Sequence, residues 1–144
     1  VAGNIVAPSL LGSIEFSARL PEVRLVVVLG HTMCGAVQTT IDELERPSGN
    51  RSPNLSSIVN RIRPAVETLI ESGLGDDRQT LVHHAIRANV RASVSQVRHG
   101  SQVIEELIAR DGLRVVGAEY SLESGLVDFF DADPGTGRAG SVEH

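Results

Sequence analysis

The chain has 144 residues, of which 41% are hydrophobic and 22% charged, a composition typical of one globular domain. Its net charge of −5, its aromatic content of 3% and the lack of a long basic run argue against a nucleic acid partner. No apolar stretch approaches the ~18 residues of a membrane-spanning helix, and no signal-peptide pattern opens the sequence. Since the single cysteine cannot form an intrachain disulfide, these features together predict a cytoplasmic protein with no membrane partner.

The first elements are predicted from apolar spacing and from the positions of proline and glycine. Residues 9–20 have helical spacing between two prolines, with Ser9 as the expected N-cap. Residues 24–29 contain an unbroken apolar run, which is typical of a strand buried on both faces of a parallel sheet. A helix over 35–44 and a loop over 46–53 are expected to follow.

The second half is predicted to be mostly helical before it returns to strands. The predicted elements are a helix over 54–71 that Pro64 would kink or divide, a long helix over 78–98, a helix over 100–111, a strand over 113–120, a turn at 123–125 and a strand over 126–130. This alternation predicts an α/β fold with a largely parallel sheet and flanking helices. Two or three strands are too few to cover so many amphipathic helices, so the sheet is expected to be incomplete.

The composition divides the chain into a folded domain at residues 1–131 and a flexible tail at 132–144. The tail is rich in glycine, and its last residues resemble a cloning remnant ahead of a histidine tag. The sequence opens without methionine on a stretch typical of the middle of a loop. We therefore expect a longer protein that has been truncated at its N-terminus.

His31 and Cys34 form a His-x-x-Cys motif in the turn that follows the apolar run and Gly30. An imidazole and a thiolate one short turn apart are ligands that zinc prefers. The pair supplies only two donors, whereas zinc takes three or four from proteins. Two other interpretations stay open: a small buried core cysteine beside a turn histidine, and a nucleophilic Cys34 paired with His31.

The other histidines and the arginines of the long helix receive structural interpretations. His83 sits beside apolar helix positions and is expected to be a core or interface histidine. His99 suits the negative end of the helix dipole. Arg87, Arg91 and Arg98 are interpreted as a solvated face rather than an anion site.

Four segments of the chain form an ordered set. They are Ala-Gly-Asn at 2–4, Gly-Ser-Ile-Glu-Phe at 12–16, Leu-Val-Val-Val-Leu-Gly-His-Thr-Met-Cys-Gly-Ala-Val at 25–37, and Val-Val-Gly-Ala-Glu-Tyr at 115–120. Together they closely resemble the β-class carbonic anhydrases, and the resemblance extends over residues 1–131. The specificity lies in the ordered set, because each segment alone is common.

The resemblance implies a zinc lyase that interconverts carbon dioxide and bicarbonate. His31 and Cys34 would be two of the three protein ligands usual in the family, and the backbone N–H of Gly35 would hold a substrate oxygen. Such a ligand set leaves one open zinc position for a water molecule that becomes the nucleophile. The resemblance also implies a homodimer or a homotetramer.

One motif of the family, Cys-x-Asp-x-Arg, is not found in the 144 residues. In the family it lies upstream and supplies a further ligand, on a segment that also carries sheet strands. We therefore expect the C-terminal two-thirds of a β-carbonic anhydrase, with an incomplete zinc site and little or no activity by itself. The alternative is a non-catalytic carbonic-anhydrase-like binding or scaffold module without a complete zinc site.

Overall fold

The computed structural model describes residues 1–49, 52–73 and 77–131, which form an α/β fold. After a short 3-10 turn at Ala2–Asn4, the elements are α1 (Pro8–Ala18), β1 (Leu25–His31), α2 (Gly35–Glu45), α3 (Pro53–Glu71), α4 (Arg78–His99), α5 (Gln102–Asp111), β2 (Arg114–Tyr120) and β3 (Val127–Asp131). The order confirms the predicted alternation of helices and strands. The expected tail at 132–144 lies outside the described residues.

The sheet that these residues form has the strand order β1-β2-β3. β1 and β2 are parallel, with Leu25 opposite Arg114 and His31 opposite Tyr120. β3 returns antiparallel to β2, with an irregularity next to Gly117. The predicted parallel pair and the predicted turn into a last strand are therefore both confirmed, and the described sheet is mixed.

Helix α4 organises the packing, because it lies against β1 and β2 and also contacts α2, α3 and α5. Its apolar stripe is fully buried at Val90 and Val94. One hydrophobic cluster lies between α4 and the pair α2 and α3, and a second lies between α4, α5 and the sheet. None of the helices described combines the length and the apolar character that crossing a membrane requires.

The prediction that the first strand is buried on both faces is wrong for the described part of the chain. Burial along β1 alternates, and Leu25, Val27 and Leu29 are 50%, 39% and 48% exposed. The reason is that β1 is an edge strand of the described sheet and that α4 covers only one of its faces. On the opposite face the apolar side chains of β1 stay exposed, whereas those of Val116 and Ala118 on β2 are buried.

Two helix predictions also need correction. α1 begins at Pro8 with Ala7 at the N-cap, so Ser9 is not the cap. Proline fits the first helical position because its φ is already helical and the N–H that it lacks would have no partner within the helix. α3 continues through Pro64 without dividing. Pro64 and Asn60 lie on the exposed side of α3, where water can hydrate the carbonyl that proline leaves without a donor.

Gly30 is required by the close approach of α4 to β1. A Cβ at Gly30 would lie 2.6 Å from Cγ2 of Val90, whereas a Cβ at Gly12 on exposed α1 would meet no atom within 4 Å. We expect Gly30→Ala to lower the free energy of unfolding by about 1–3 kcal/mol through overpacking. Gly12→Ala should raise it by about 0.5–1 kcal/mol, because alanine is the better helix former. Denaturant unfolding of both variants tests this, and equal stability of the two would contradict it.

Asp77 caps the N-terminus of α4. Its carboxylate accepts hydrogen bonds from the backbone N–H groups of Gln79 at 3.2 Å and Thr80 at 3.3 Å, and from the Thr80 hydroxyl. These bonds, with the Thr80 hydroxyl first, lower the pKa of Asp77 below its ordinary value of 3.8. The folded state therefore favours the charged carboxylate.

The cap makes stability depend on pH. Because the pKa of Asp77 is lower in the folded state, its stabilisation is fully present above pH 3.8 and is lost as the pH falls through the folded pKa. We expect Asp77→Ala to melt below the parent at pH 7, with a difference that shrinks under acid. Asp77→Asn, which keeps a capping oxygen, is the matched control and should lose less. A difference that widens on acidification would refute the assignment.

Candidate metal centre

His31 is the last residue of β1 and its side chain is exposed. Its Nδ1 lies 2.9 Å from the backbone oxygen of Thr32. A carbonyl oxygen only accepts, so Nδ1 carries the proton and donates it, and the lone pair is on Nε2. Histidines that bind metals are oriented in this way, with one ring nitrogen donating to a carbonyl and the other free for the metal.

Cys34 is the N-cap residue of α2 and is only 5% exposed. It packs in the same hydrophobic cluster as Val37 and Ile41. The chain reaches this position through Met33, which has a positive φ of 58°. This tight turn places the imidazole at the end of a strand and the thiol at the start of a helix.

The turn that carries both residues is tied to its surroundings. The Thr32 N–H donates to the Tyr120 carbonyl at 2.9 Å, and the Thr32 hydroxyl accepts from the Leu122 N–H at 3.0 Å. The Gln38 side chain donates to the Met33 carbonyl at 3.0 Å. Because β2, the chain after it and α2 all hold the turn, the donor atoms are positioned by packed elements rather than by a free loop.

Gly35, the predicted substrate-binding residue, is the first residue of α2. N–H groups in the first turn of a helix have no partner within the helix, and the helix dipole favours negative charge there. The first turn of α2 has no acidic side chain, and a Cβ at Gly35 would meet no atom within 4 Å. Gly35 is therefore an exposed residue at a helix end whose dipole favours negative charge, and its contact with substrate stays a prediction.

The donor chemistry of His31 and Cys34 fits zinc, but the described residues do not complete a site. No group of three or more His, Cys, Asp and Glu side chains capable of holding a metal occurs in residues 1–49, 52–73 and 77–131. Zinc needs at least three protein donors in catalytic sites. The structure places His31 exposed and Cys34 buried at the two ends of one turn, so their role as zinc ligands stays a prediction.

A cluster around Glu119 was missed by the sequence analysis. Glu119 lies in β2 and is only 6% exposed, with His83 Nδ1 4.0 Å from its Oε1 and Arg87 Nε 3.7 Å from its Oε2. The Oε1 atom is buried and has no hydrogen-bond partner among the described residues. An acidic residue inside an otherwise apolar strand was the signal that could have identified it.

The core interpretation of His83 and the solvated-face interpretation of Arg87 and Arg98 are wrong. His83 is half exposed, and its interpretation as an interface histidine stays a prediction. Arg87 is 21% exposed and also pairs with Asp128, while Arg98 is 16% exposed and donates to the Val115 carbonyl at 3.1 Å. Arg87 and Arg98 therefore do not form a solvated face, because their side chains extend from α4 to partners on the strands.

Comparison with known proteins identifies the family. A sequence model described as carbonic anhydrase matches residues 1–127. The chain is 34% identical over 130 residues to a carbonic anhydrase of Mycolicibacterium smegmatis, in a match covering 88% of this chain and 59% of that protein. It is 32% identical over 127 residues to carbonic anhydrase 2 of Mycobacterium tuberculosis, in a match covering 86% of this chain and 57% of that protein.

Solved structures show the same fold. The β-carbonic anhydrase CafA of Aspergillus fumigatus superposes with a TM-score of 0.76 at 26% identity, covering 93% of this chain and 63% of that one. A tetrameric β-carbonic anhydrase of Sordaria macrospora gives a TM-score of 0.74 at 23% identity, covering 89% and 64%. At 23% identity, this second similarity shows the shared fold alone.

The described architecture is therefore that of the β-carbonic anhydrases, with three strands in a mixed sheet and flanking helices. The chain belongs to the carbonic anhydrase family, in its β class, which confirms the resemblance found in the sequence. It spans 59% and 57% of the lengths of the two mycobacterial relatives.

Proposed function

We propose that the protein containing these residues catalyses the zinc-dependent, reversible hydration of carbon dioxide to bicarbonate. The observation that carries the proposal is the His31–Cys34 turn. There the Nδ1–H of His31 is engaged by the Thr32 carbonyl, which leaves Nε2 as the donor atom. A thiol at the N-terminus of α2 is the second donor.

Each of four residues in this turn has a proposed role. His31 Nε2 and Cys34 Sγ hold the metal, and the Thr32 carbonyl orients the imidazole. When bound, zinc acts as a Lewis acid that activates water at neutral pH. The Gly35 N–H donates to an oxygen of the carbon dioxide or bicarbonate, at a helix end that favours the developing negative charge.

The remaining donors are proposed to come from outside the described residues, in the Cys-x-Asp-x-Arg motif that the family resemblance implies. Two observations support this: the described residues supply only two of the donors, and the chain spans less than two-thirds of its relatives. We also propose assembly into a homodimer or homotetramer. The open apolar face formed by Leu25, Val27 and Leu29 supports association.

An incomplete ligand set predicts weak zinc binding by the 144-residue chain alone. After dialysis with zinc and then against metal-free buffer, the chain should retain clearly less than one zinc per molecule and hydrate carbon dioxide slowly. Zinc content is measured by atomic absorption. One zinc per chain together with fast hydration would contradict the incomplete ligand set and leave the proposed reaction standing.

The residual zinc should depend on the two proposed ligands. His31→Gln should reduce zinc retention further, whereas His99→Gln, at the exposed C-terminal end of α4, is the matched control and should leave it unchanged. Equal retention in both variants would assign the bound zinc to another location and remove His31 from the site.

Gly35→Pro removes the proposed substrate contact without breaking the helix. Proline is tolerated at the first helical position, and Cys34 before it already has the extended ψ of 113° that a following proline favours. In the natural protein with a full zinc site, we expect Gly35→Pro to lower kcat/KM by about 10²–10³-fold, as for loss of one oxyanion donor.

The control for this variant is Gly35→Ala, which adds a methyl group into open space and keeps the N–H. It should retain activity within a few-fold of the parent, and both variants should keep the parent's zinc content. Full activity in Gly35→Pro would exclude the N–H from catalysis.

A further inference from the structure

Thr32 connects the proposed metal ligand His31 to the segment that follows β2. Its N–H donates to the Tyr120 carbonyl at 2.9 Å, and its hydroxyl accepts from the Leu122 N–H at 3.0 Å. Its carbonyl accepts from Nδ1 of His31 at 2.9 Å. Thr32 is therefore bonded to residues 120–122 at two points and to the imidazole at a third.

The Thr32 side chain lies away from the proposed metal position. It lines a cavity of about 430 Å³ beside the first turns of α4, together with Val82 and Ile86. His31 does not line this cavity, because side chains alternate between the two faces of a strand and its imidazole projects from the other face. The Thr32 hydroxyl can therefore act on His31 only through the backbone.

The residues that hold the Thr32 hydroxyl form a closed turn. The Ser121 N–H donates to the Leu126 carbonyl at 2.8 Å, and the Gly125 N–H donates to the Ser121 carbonyl at 2.9 Å. Leu122 lies inside this turn, so the N–H that it offers to Thr32 has a fixed position although the residue is 50% exposed. The turn is thus an anchor for the chain after β1.

The backbone between His31 and Cys34 requires such an anchor. Met33 has a positive φ of 58°, a conformation that residues other than glycine adopt at a cost and keep only where their surroundings hold them. The Gln38 side chain holds this residue from one side, by donating to the Met33 carbonyl at 3.0 Å. From the other side the Thr32 bonds hold it. Without them the peptide unit between Thr32 and Met33 can rotate, and its carbonyl no longer faces the imidazole.

We propose that the Thr32 hydroxyl is a positioning group that selects the Nδ1–H tautomer of His31. With Thr32 held by the Leu122 N–H, its carbonyl accepts from Nδ1, and the lone pair on Nε2 is left for a metal. The inference rests on the proposed function for the role of Nε2 as a ligand. The tautomer itself is a property of the metal-free chain.

The first test measures the tautomer in the metal-free 144-residue chain. Two-bond ¹H–¹⁵N correlation spectra distinguish the two forms, under alkaline conditions that keep the imidazoles neutral. We expect the Nδ1–H form to predominate at His31. His84, which is exposed and has no hydrogen-bond partner within the described ranges, should show the Nε2–H form that free imidazole favours. The same form at His31 would overturn the proposal.

Variants separate the hydroxyl from the shape of the side chain. Thr32→Val keeps the shape and should reduce the Nδ1–H population of His31 by about half or more, whereas Thr32→Ser keeps the hydroxyl and should preserve it. Thr68→Val, at an exposed position of α3, is the matched control and should leave the tautomer unchanged. An unchanged tautomer in Thr32→Val, or an equal loss in Thr32→Ser, would refute the role of the hydroxyl.

The second test measures zinc affinity in the natural protein with a full zinc site, by competition with a chelator. Thr32→Val should weaken zinc binding about tenfold, as expected for loss of a group that orients a ligand, and Thr32→Ser should stay within about threefold of the parent. Equal affinities of the two variants would reject the positioning role. Failure of the proposed function gives a different result, in which zinc retention does not depend on His31 while the tautomers still differ.

Hydrogen exchange in the unmodified chain gives an answer even if Thr32→Val does not fold. The Leu122 N–H should exchange more slowly than the N–H of Glu123, for which the described part of the chain offers no partner. Equal exchange rates at these two neighbours would show that the Thr32 hydroxyl does not hold the turn, and would overturn the proposal.

Discussion

The close contact between α4 and the sheet is the constraint on which the rest of the structure depends. The side chain of Val90 occupies the space beside Gly30 and Gly117, where a Cβ would lie 2.6 Å and 3.0 Å from its methyl groups. This contact brings α4 against both parallel strands, at Gly30 one residue before β1 ends. The turn that carries the candidate zinc donors therefore starts next to a closely packed point of the structure.

The same helix holds the N-terminal turn, which gives the Ala-Gly-Asn segment at 2–4 a structural role. Asn89 of α4 donates to the Gly3 carbonyl at 2.7 Å, and Asn4 donates to the Ser93 hydroxyl at 3.2 Å. Gly3 has a positive φ of 63°, and a Cβ there would lie 2.5 Å from Ile62 of α3. A segment recognised only by resemblance is thus explained by the same central helix, because no larger residue fits this turn.

Local features of the fold could be predicted from the sequence, whereas features set by distant packing could not. The α-helices that the described residues form were all predicted, most of them from periodicity, and the glycine turn before β3 was recognised from its composition. The exposure of Val27 could not be predicted, because an apolar run does not reveal whether anything covers its second face. For the candidate site, the motif alone places His31 and Cys34 as neighbours in one turn, and their role as ligands stays a prediction. The Glu119 cluster combines side chains from α4 and β2, and only the register of β2 against β1 brings them together.

The exposed apolar side chains of β1 and the proposed metal ligand His31 lie on one face of the sheet. Side chains alternate along β1, so His31 projects from the same face as Leu25, Val27 and Leu29, opposite α4. On that face the described residues leave the apolar side chains of β1 exposed. Any segment or second copy that buries these side chains must therefore approach the His31 imidazole as well. If His31 binds zinc as proposed, an association that buries these apolar side chains would also cover the metal-binding side of the imidazole, which would link metal affinity to assembly.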